Sequence, residues 1–237
     1  MMTVDLIIRS ATEFYDLLRN DDNSRYRSWE HCYQHFMEAR LQKDPDIDYL
    51  SLQLAFYLAS WGMYRGSSFL LQRDYRIHIP VVKELLKPKY DSLAGIECFE
   101  YRKPEAKRLL NDINTYLESY YTEVRCLVKE EPPKNKLSDT LITKVLMGTL
   151  GCVPAYDRYF VAGLKDQKVS TGLYNIRSIL KLVDFYEDNK EKLEAARDSL
   201  KVNGMPYPQM KLLDMGFWQI GFELDTKKEL IDRTLII

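Results

Sequence analysis

The chain has 237 residues, 46% of them hydrophobic and 12% aromatic, which is ample for a packed core without disulfide or metal staples. Its 34 Lys and Arg residues nearly balance 35 Asp and Glu residues, which excludes a global basic field and leaves any nucleic-acid binding to a local patch. The four cysteines form no Cys-x-x-Cys pair, and the N-terminal segment MMTVDLIIRS lacks the features of a secretory signal. We therefore expect a cytoplasmic protein with reduced thiols that does not enter a membrane.

The N-terminal half predicts a series of short helices. Apolar residues recur at spacings of three and four over about 11–19, 28–43, 47–62 and 80–86. Ser10 and Glu13 form a capping-box pattern at the first of these helices. Tyr75 to Ile79 is a short β-like candidate that also fits an extended loop, and regular strand alternation is otherwise missing from the sequence.

The clearest periodicity lies over residues 104–128. Apolar positions there predict one long amphipathic helix, with Pro104 in its first turn and Pro132 and Pro133 to stop it. Further helices are predicted at about 138–150, 155–164, 173–186, 189–201, 210–224 and 226–235, with a turn at VNGMPYP, residues 202–208. The sequence thus predicts an all-α fold, a compact bundle of about ten helices.

Two organisations of this bundle fit the sequence equally well. Residues 129–136, KEEPPKNK, are charged and rich in proline, as a linker would be. The chain is then either a single helical domain over 1–237 or two intimate lobes, 1–130 and 137–237, joined near that linker.

A first candidate site is an anion-binding segment at residues 65–68. Gly66, Ser67 and Ser68 precede a short apolar run that is predicted to be helical, so backbone amides and two hydroxyls would lie at a helix N-terminus. Arg65 lies beside this segment, and Arg76 adds a nearby positive charge. The pattern indicates a local basic patch for the phosphates of DNA or RNA, and an ordinary glycine turn with a serine cap explains the same residues.

A second candidate pair, Arg73 and His78, has four residues between its members. Histidine transfers protons near neutral pH, and arginine stabilises charge on a phosphate. The spacing resembles the Arg-x(4-6)-His motif of HEPN ribonucleases, helical proteins that cleave RNA. The resemblance implies a metal-independent ribonuclease that uses Arg73 and His78 as its catalytic pair.

A third candidate lies in residues 143–160, TKVLMGTLGCVPAYDRYF. This stretch resembles part of the helix-hairpin-helix DNA glycosylase superfamily, in which a lysine-bearing helix precedes a Val-Pro-x-Asp turn. The resemblance implies Lys144 and Asp157 as catalytic residues. Residues 130–143 contain no glycine for the hairpin that gives the superfamily its name, so we expect glycosylase-like architecture without base excision. The same residues also fit a corner between two core helices, with Asp157 at the N-terminal end of the second.

Metal and cofactor sites have little support. His31 and His35 are four residues apart on a predicted helix, but no further ligand pattern accompanies them, so we expect neither a metal nor a cofactor. The leading hypothesis is a helical protein associated with nucleic acid. The ribonuclease and a non-catalytic interaction or scaffold protein are the alternatives.

Overall fold

The computed structural model describes residues 3–129, 136–202 and 204–234. Within these ranges the chain forms ten α-helices and five short 3-10 helices, so the predicted all-α fold of about ten helices is confirmed. The α-helices are α1 (Thr3–Arg19), α2 (Ser28–Ala39), α3 (Ile47–Ser60), α4 (Ile79–Leu85), α5 (Pro104–Lys129), α6 (Asp139–Thr149), α7 (Arg158–Asp166), α8 (Ile176–Asp188), α9 (Lys190–Ser199) and α10 (Gln209–Thr234).

Shorter elements connect these helices. The 3-10 helices are Arg25–Arg27, Phe69–Gln72, Tyr75–His78, Pro88–Leu93 and Cys98–Arg102. Two-residue strands, β1 (Lys201–Val202) and β2 (Met205–Pro206), pair antiparallel at the turn predicted over 202–208. The long helix predicted over 104–128 is confirmed as α5, with Pro104 as its first residue. Pro132 and Pro133 lie outside the described residues.

Three predicted elements differ from the structure. The capping box at Ser10 is wrong: α1 begins at Thr3, and Ser10 is buried inside it because an apolar stripe runs the whole length of the helix. The two predicted C-terminal helices are one helix, α10, because residues 222–234 contain no glycine or proline to interrupt it. Residues 75–78 form a 3-10 helix, neither strand nor extended loop, and the Asp74 carboxylate caps it by accepting from the Arg76 amide at 2.9 Å.

The chain divides into two compact units. The first unit comprises residues 1–21, 97–101 and 153–237, and the second comprises residues 22–96 and 102–152. Residues 130–135 of the predicted linker lie outside the described residues, and the helices on either side of them, α5 and α6, both belong to the second unit.

In the first unit, α10 packs against both α1 and α7. Aromatic side chains fill these contacts: the Phe160 and Phe217 rings are 5.9 Å apart and nearly perpendicular, and the Phe14 and Trp218 rings are 5.5 Å apart. Such edge-to-face pairs add to the stabilisation from apolar burial. Both faces of α10 along this stretch are therefore buried, which explains why nearly every residue from 207 to 221 is inaccessible to solvent.

In the second unit, α2, α3 and α6 pack together. The Trp29 indole donates to the Met147 carbonyl at 2.9 Å, and a Cβ atom at Gly148 would overlap the Tyr57 ring. Gly148 therefore lies inside α6 as a close-packing residue. Gly151 follows the end of α6 with a φ of +62°, the left-handed conformation that glycine favours.

Among the described helices, none offers the weakly charged apolar stretch of roughly 20 residues that a bilayer span requires.

Candidate functional site

The chain turns sharply after α3, at residues 61–66, a segment called the Trp61 turn below. Gly62 has a φ of +75°, and the Met63 amide donates to the Leu58 carbonyl at 2.9 Å. This is the pattern of a Schellman motif, which closes a helix through a left-handed residue. The last carbonyl groups of α3 are then left for side-chain donors.

Two cationic side chains from elsewhere in the second unit bind those carbonyls. Arg25 donates from Nη1 to the Ser60 carbonyl at 3.4 Å, and Lys144 donates from Nζ to the Trp61 carbonyl at 2.9 Å. Cations are favourable at this position because a helix C-terminus carries the negative end of the helix dipole. Lys144 is only 4% exposed, and its stem is buried along α6. Its predicted place on a helix is confirmed, and its ammonium group stabilises the end of α3.

Arg65 brings a third positive charge to the same turn. A Cβ atom at Gly62 would lie 3.3 Å from Cζ of Arg65, so the guanidinium group lies directly over the glycine. Arg65 is exposed and makes no ion pair within the described ranges. The structure therefore brings Lys144 and Arg65, which were predicted in separate motifs, to one turn.

Aromatic rings accompany these cations. The Tyr26 and Trp61 ring centroids are 5.2 Å apart, and Cζ of Arg25 lies 4.8 Å from the centre of the Tyr26 ring. Nζ of Lys144 lies 5.5 Å from the centre of the Trp61 ring. Both rings are half-buried, and the distances are those of cation–π contacts. The site is an arginine-rich aromatic surface at the end of a helix.

His78 anchors the Trp61 turn from within the core. Its Nε2 is 2.8 Å from the Tyr64 hydroxyl and its Nδ1 is 2.7 Å from the Tyr121 hydroxyl, so one ring nitrogen donates while the other accepts. The side chain is fully buried, and burial lowers the pKa of His78 to about 3. The neutral imidazole is hydrogen-bonded to two tyrosines and therefore has a structural role. A substrate in solvent cannot reach it.

Arg73 and His78 do not form the pair that the ribonuclease resemblance implies. Arg73 follows the 3-10 helix Phe69–Gln72 in an extended conformation, with φ of −133° and ψ of 147°, and lies on the surface. The extended backbone at Arg73 and Asp74 separates two 3-10 helices, so the arginine and the histidine do not share one helix. An exposed arginine and a buried histidine present no common catalytic surface.

The predicted anion-binding segment, residues 65–68, does not lie at the N-terminus of an α-helix. Phe69–Gln72 is a single 3-10 turn, too short to build the dipole of an α-helix, and Ser68 accepts from the Leu70 amide as its N-cap. Gly66 and Ser67 are exposed. Arg76 lies 3.5 Å from Asp48 in an exposed ion pair, so this positive charge is partly neutralised.

Asp157, the other residue implied by the glycosylase resemblance, lies in the first unit. Its Oδ1 accepts from the Tyr159 and Phe160 amides, each at 3.1 Å, as the N-cap of α7. Its Oδ2 accepts from the Trp218 indole at 3.3 Å. The predicted position of Asp157 at the start of a helix is thus confirmed, and both carboxylate oxygens are engaged. Lys144 belongs to the second unit and has its own hydrogen bond there.

A buried ion pair lies close to Asp157. Lys211 and Asp214 on α10 are 2.9 Å apart and only 2% and 3% exposed, and the other carboxylate oxygen of Asp214 accepts from the Ala155 amide at 3.0 Å. Burial raises the pKa of Asp214, and Lys211 opposes this shift. The pair fixes the segment before α7 to α10.

An open cavity of about 480 Å³ lies between α7 and α10. Its lining carries both signs of charge, including the Arg158 and Asp225 pair at 3.3 Å, together with the apolar residues Ala162, Gly221 and Leu224. This mixture of charges gives no single class of ligand a clear electrostatic advantage.

Metal-binding geometry is not found in the part of the chain that the structure describes, where no group of three or more His, Cys, Asp or Glu side chains converges. His31 is exposed, whereas Nε2 of His35 is 3.1 Å from the Tyr49 hydroxyl. Both belong to α2, as their spacing predicts, and neither is part of a ligand set.

Arg25, Tyr26 and Trp61 were not predicted as site residues. Arg25 and Trp61 are 36 positions apart, and only the antiparallel packing of α2 on α3 brings them together. The signal available in the sequence was the composition of α3, which is apolar on more than one face. No family model, curated protein or solved structure matches the chain.

Proposed function

We propose that the protein binds nucleic acid and that the Trp61 turn, with Arg25 and Tyr26, is the contact surface, which Lys144 supports from beneath. The observation that carries the proposal is the convergence of three cationic side chains and two half-buried aromatic rings at one turn. Arginine beside an aromatic ring is the combination with which proteins bind phosphates and stack on bases.

The proposal concerns binding and does not include base excision. Lys144 is almost fully buried on a backbone carbonyl, and Asp157 is engaged by two amides and an indole. Arg65, by contrast, is exposed and has no ion-pair partner within the described ranges, so its charge is available to a phosphate. We therefore assign the main phosphate contact to Arg65 and a supporting contact to Arg25.

Salt-dependent retention of labelled oligonucleotides tests this proposal. Phosphate contacts release counterions, so affinity should fall steeply between about 50 and 200 mM salt. Arg65→Glu should weaken binding at low salt and reduce the salt slope by about 1. Lys181→Glu, which makes the same charge change on an exposed position of α8, is the matched control. Absence of binding at low ionic strength, or equal binding by the two variants, would overturn the proposal.

A further inference from the structure

The outer face of α3 carries an apolar stripe that stays exposed among the described residues, apart from an edge contact between the Tyr49 ring and His35. The core face buries residues such as Leu50, Leu54 and Leu58, whereas Tyr49, Leu52 and Phe56 are 42%, 46% and 58% exposed. Spacings of three and four residues place these three side chains on one side of the helix. Two of the three are aromatic.

This stripe leads directly to the Trp61 turn. At 1.5 Å per residue, Phe56 lies about 10 Å along the helix from Tyr49 and about 6 Å from Ser60. Ser60 is the next residue of the stripe, and its carbonyl accepts from Arg25. Exposed rings and exposed arginines therefore follow one another along a single track.

The charges along the track differ between its two ends. At the Tyr49 end, Asp46 is occupied as the N-cap of α3, and Asp48 lies within 3.5 Å of Arg76. At the other end Arg25 and Arg65 make no ion pair within the described ranges. A polyanion is thus favoured at the Trp61 turn, and apolar ring faces are favoured along the helix.

We infer that the occupant of this track is a single strand of nucleic acid, with phosphates at Arg25 and Arg65 and with unpaired bases stacked on Phe56 and Tyr49. The inference rests on the proposed function. Only unpaired bases offer their faces to a protein ring, because in a duplex those faces are covered by neighbouring bases. An exposed phenylalanine has no hydrogen-bonding group for reading base edges, so the contact should tolerate any sequence.

Competition between a labelled 20-nucleotide single strand and a hairpin duplex of equal length tests the inference. The single strand should bind at least about tenfold more tightly, and Phe56→Ala should weaken it about fivefold or more while leaving duplex binding unchanged. Phe56→Leu keeps an apolar side chain but removes the π face, so it should behave like Phe56→Ala. Leu127→Ala, at a 67% exposed position of α5, is the matched control and should bind as the native chain does.

The outcomes separate this inference from the proposed function. Equal or tighter duplex binding, or native affinity in Phe56→Ala, overturns the single-strand inference and leaves the phosphate contact at Arg65 standing. Native affinity in Phe56→Leu with weakened Phe56→Ala also overturns it, since a merely apolar contact, such as one with another protein, would then explain the stripe. Absence of binding to both nucleic acids overturns both.

Discussion

Gly163 on α7 and Gly221 on α10 lie against each other's helix backbones. A Cβ atom on Gly163 would overlap the Phe217 carbonyl, and one on Gly221 would overlap the Tyr159 carbonyl. Each glycine thus marks the closest approach of the two helices. The atoms that would clash with an added Cβ atom are backbone atoms, which no rotamer change can move. This crossing holds α7 on α10 and with it the Asp157 corner.

Alanine at either glycine should therefore destabilise the first unit. Overpacking costs about 1–3 kcal/mol when neighbours can shift, and here the neighbours are carbonyl groups, so we expect at least about 3 kcal/mol for Gly163→Ala or Gly221→Ala. Urea unfolding measures the loss. Gly66→Ala is the comparison, because open space surrounds that position and only its φ of +57° opposes alanine, at a cost of about 1 kcal/mol. Losses no larger than that of Gly66→Ala would contradict the crossing.

Asp157 should act as a helix cap and as an acceptor for Trp218. Removing both interactions in Asp157→Ala should cost about 2 kcal/mol of unfolding free energy, the sum of a lost cap and a lost acceptor. Asp157→Asn should cost less, because one amide oxygen can still cap α7 while the amide nitrogen cannot accept from the indole. In a Trp218→Phe background, the free-energy cost of Asp157→Asn should nearly vanish. An undiminished cost would show that the two side chains are energetically independent.

The helices could be predicted because buried apolar residues recur at helical spacing. The capping residues that mark helix ends gave a weaker signal. The buried positions of α5 recur at helical spacing from Ala106 to Val124, so that helix was predicted almost to the residue. In α1 a serine and a glutamate imitate a cap inside the helix, yet tertiary burial of Ser10 decides the outcome. A capping pattern cannot be told from an interior pair when the surrounding apolar stripe is continuous.

The sequence predicted individual residues of the site but not their convergence at one turn. Lys144 and Arg65 belong to separate sequence motifs, and their common position at the Trp61 turn depends on how α6 and α3 pack. Histidine titrates near neutral pH, which makes His78 a catalytic candidate from sequence, but its burial between Tyr64 and Tyr121 is a tertiary property that removes that capacity. Residue type therefore indicated candidate chemistry, and packing decided which candidates face solvent.

Glu194 should stabilise the first unit in a pH-dependent way. Burial alone would raise the pKa of Glu194, but hydrogen bonds from Arg197, Tyr186 and Gln209 outweigh burial and lower it below the ordinary value of 4.5. A lowered carboxyl pKa adds stability above pH 4.5 that is lost as the pH falls further. Glu194→Gln should thus cost about 1–2 kcal/mol at pH 7 and less at pH 3.5. Urea unfolding at the two pH values measures the free-energy cost of Glu194→Gln, with the exposed Glu191→Gln as control. An equal cost at both pH values would contradict the pH-dependent role of Glu194.

His78 should stay neutral far below the pH at which free histidine titrates. Because burial lowers its pKa to about 3, the unfolded chain takes up this proton first, and the folded state loses about 2 kcal/mol from this group between neutral pH and pH 5. NMR of the native protein is the direct measurement: the His78 ring resonances should not move between pH 8 and pH 5, with free imidazole in the same sample as the reference. His78→Gln should flatten the fall in stability towards pH 5, whatever its stability at pH 7. A His78 resonance that titrates near pH 6.5 would show instead that the ring reaches solvent, and would reopen the pairing with Arg73.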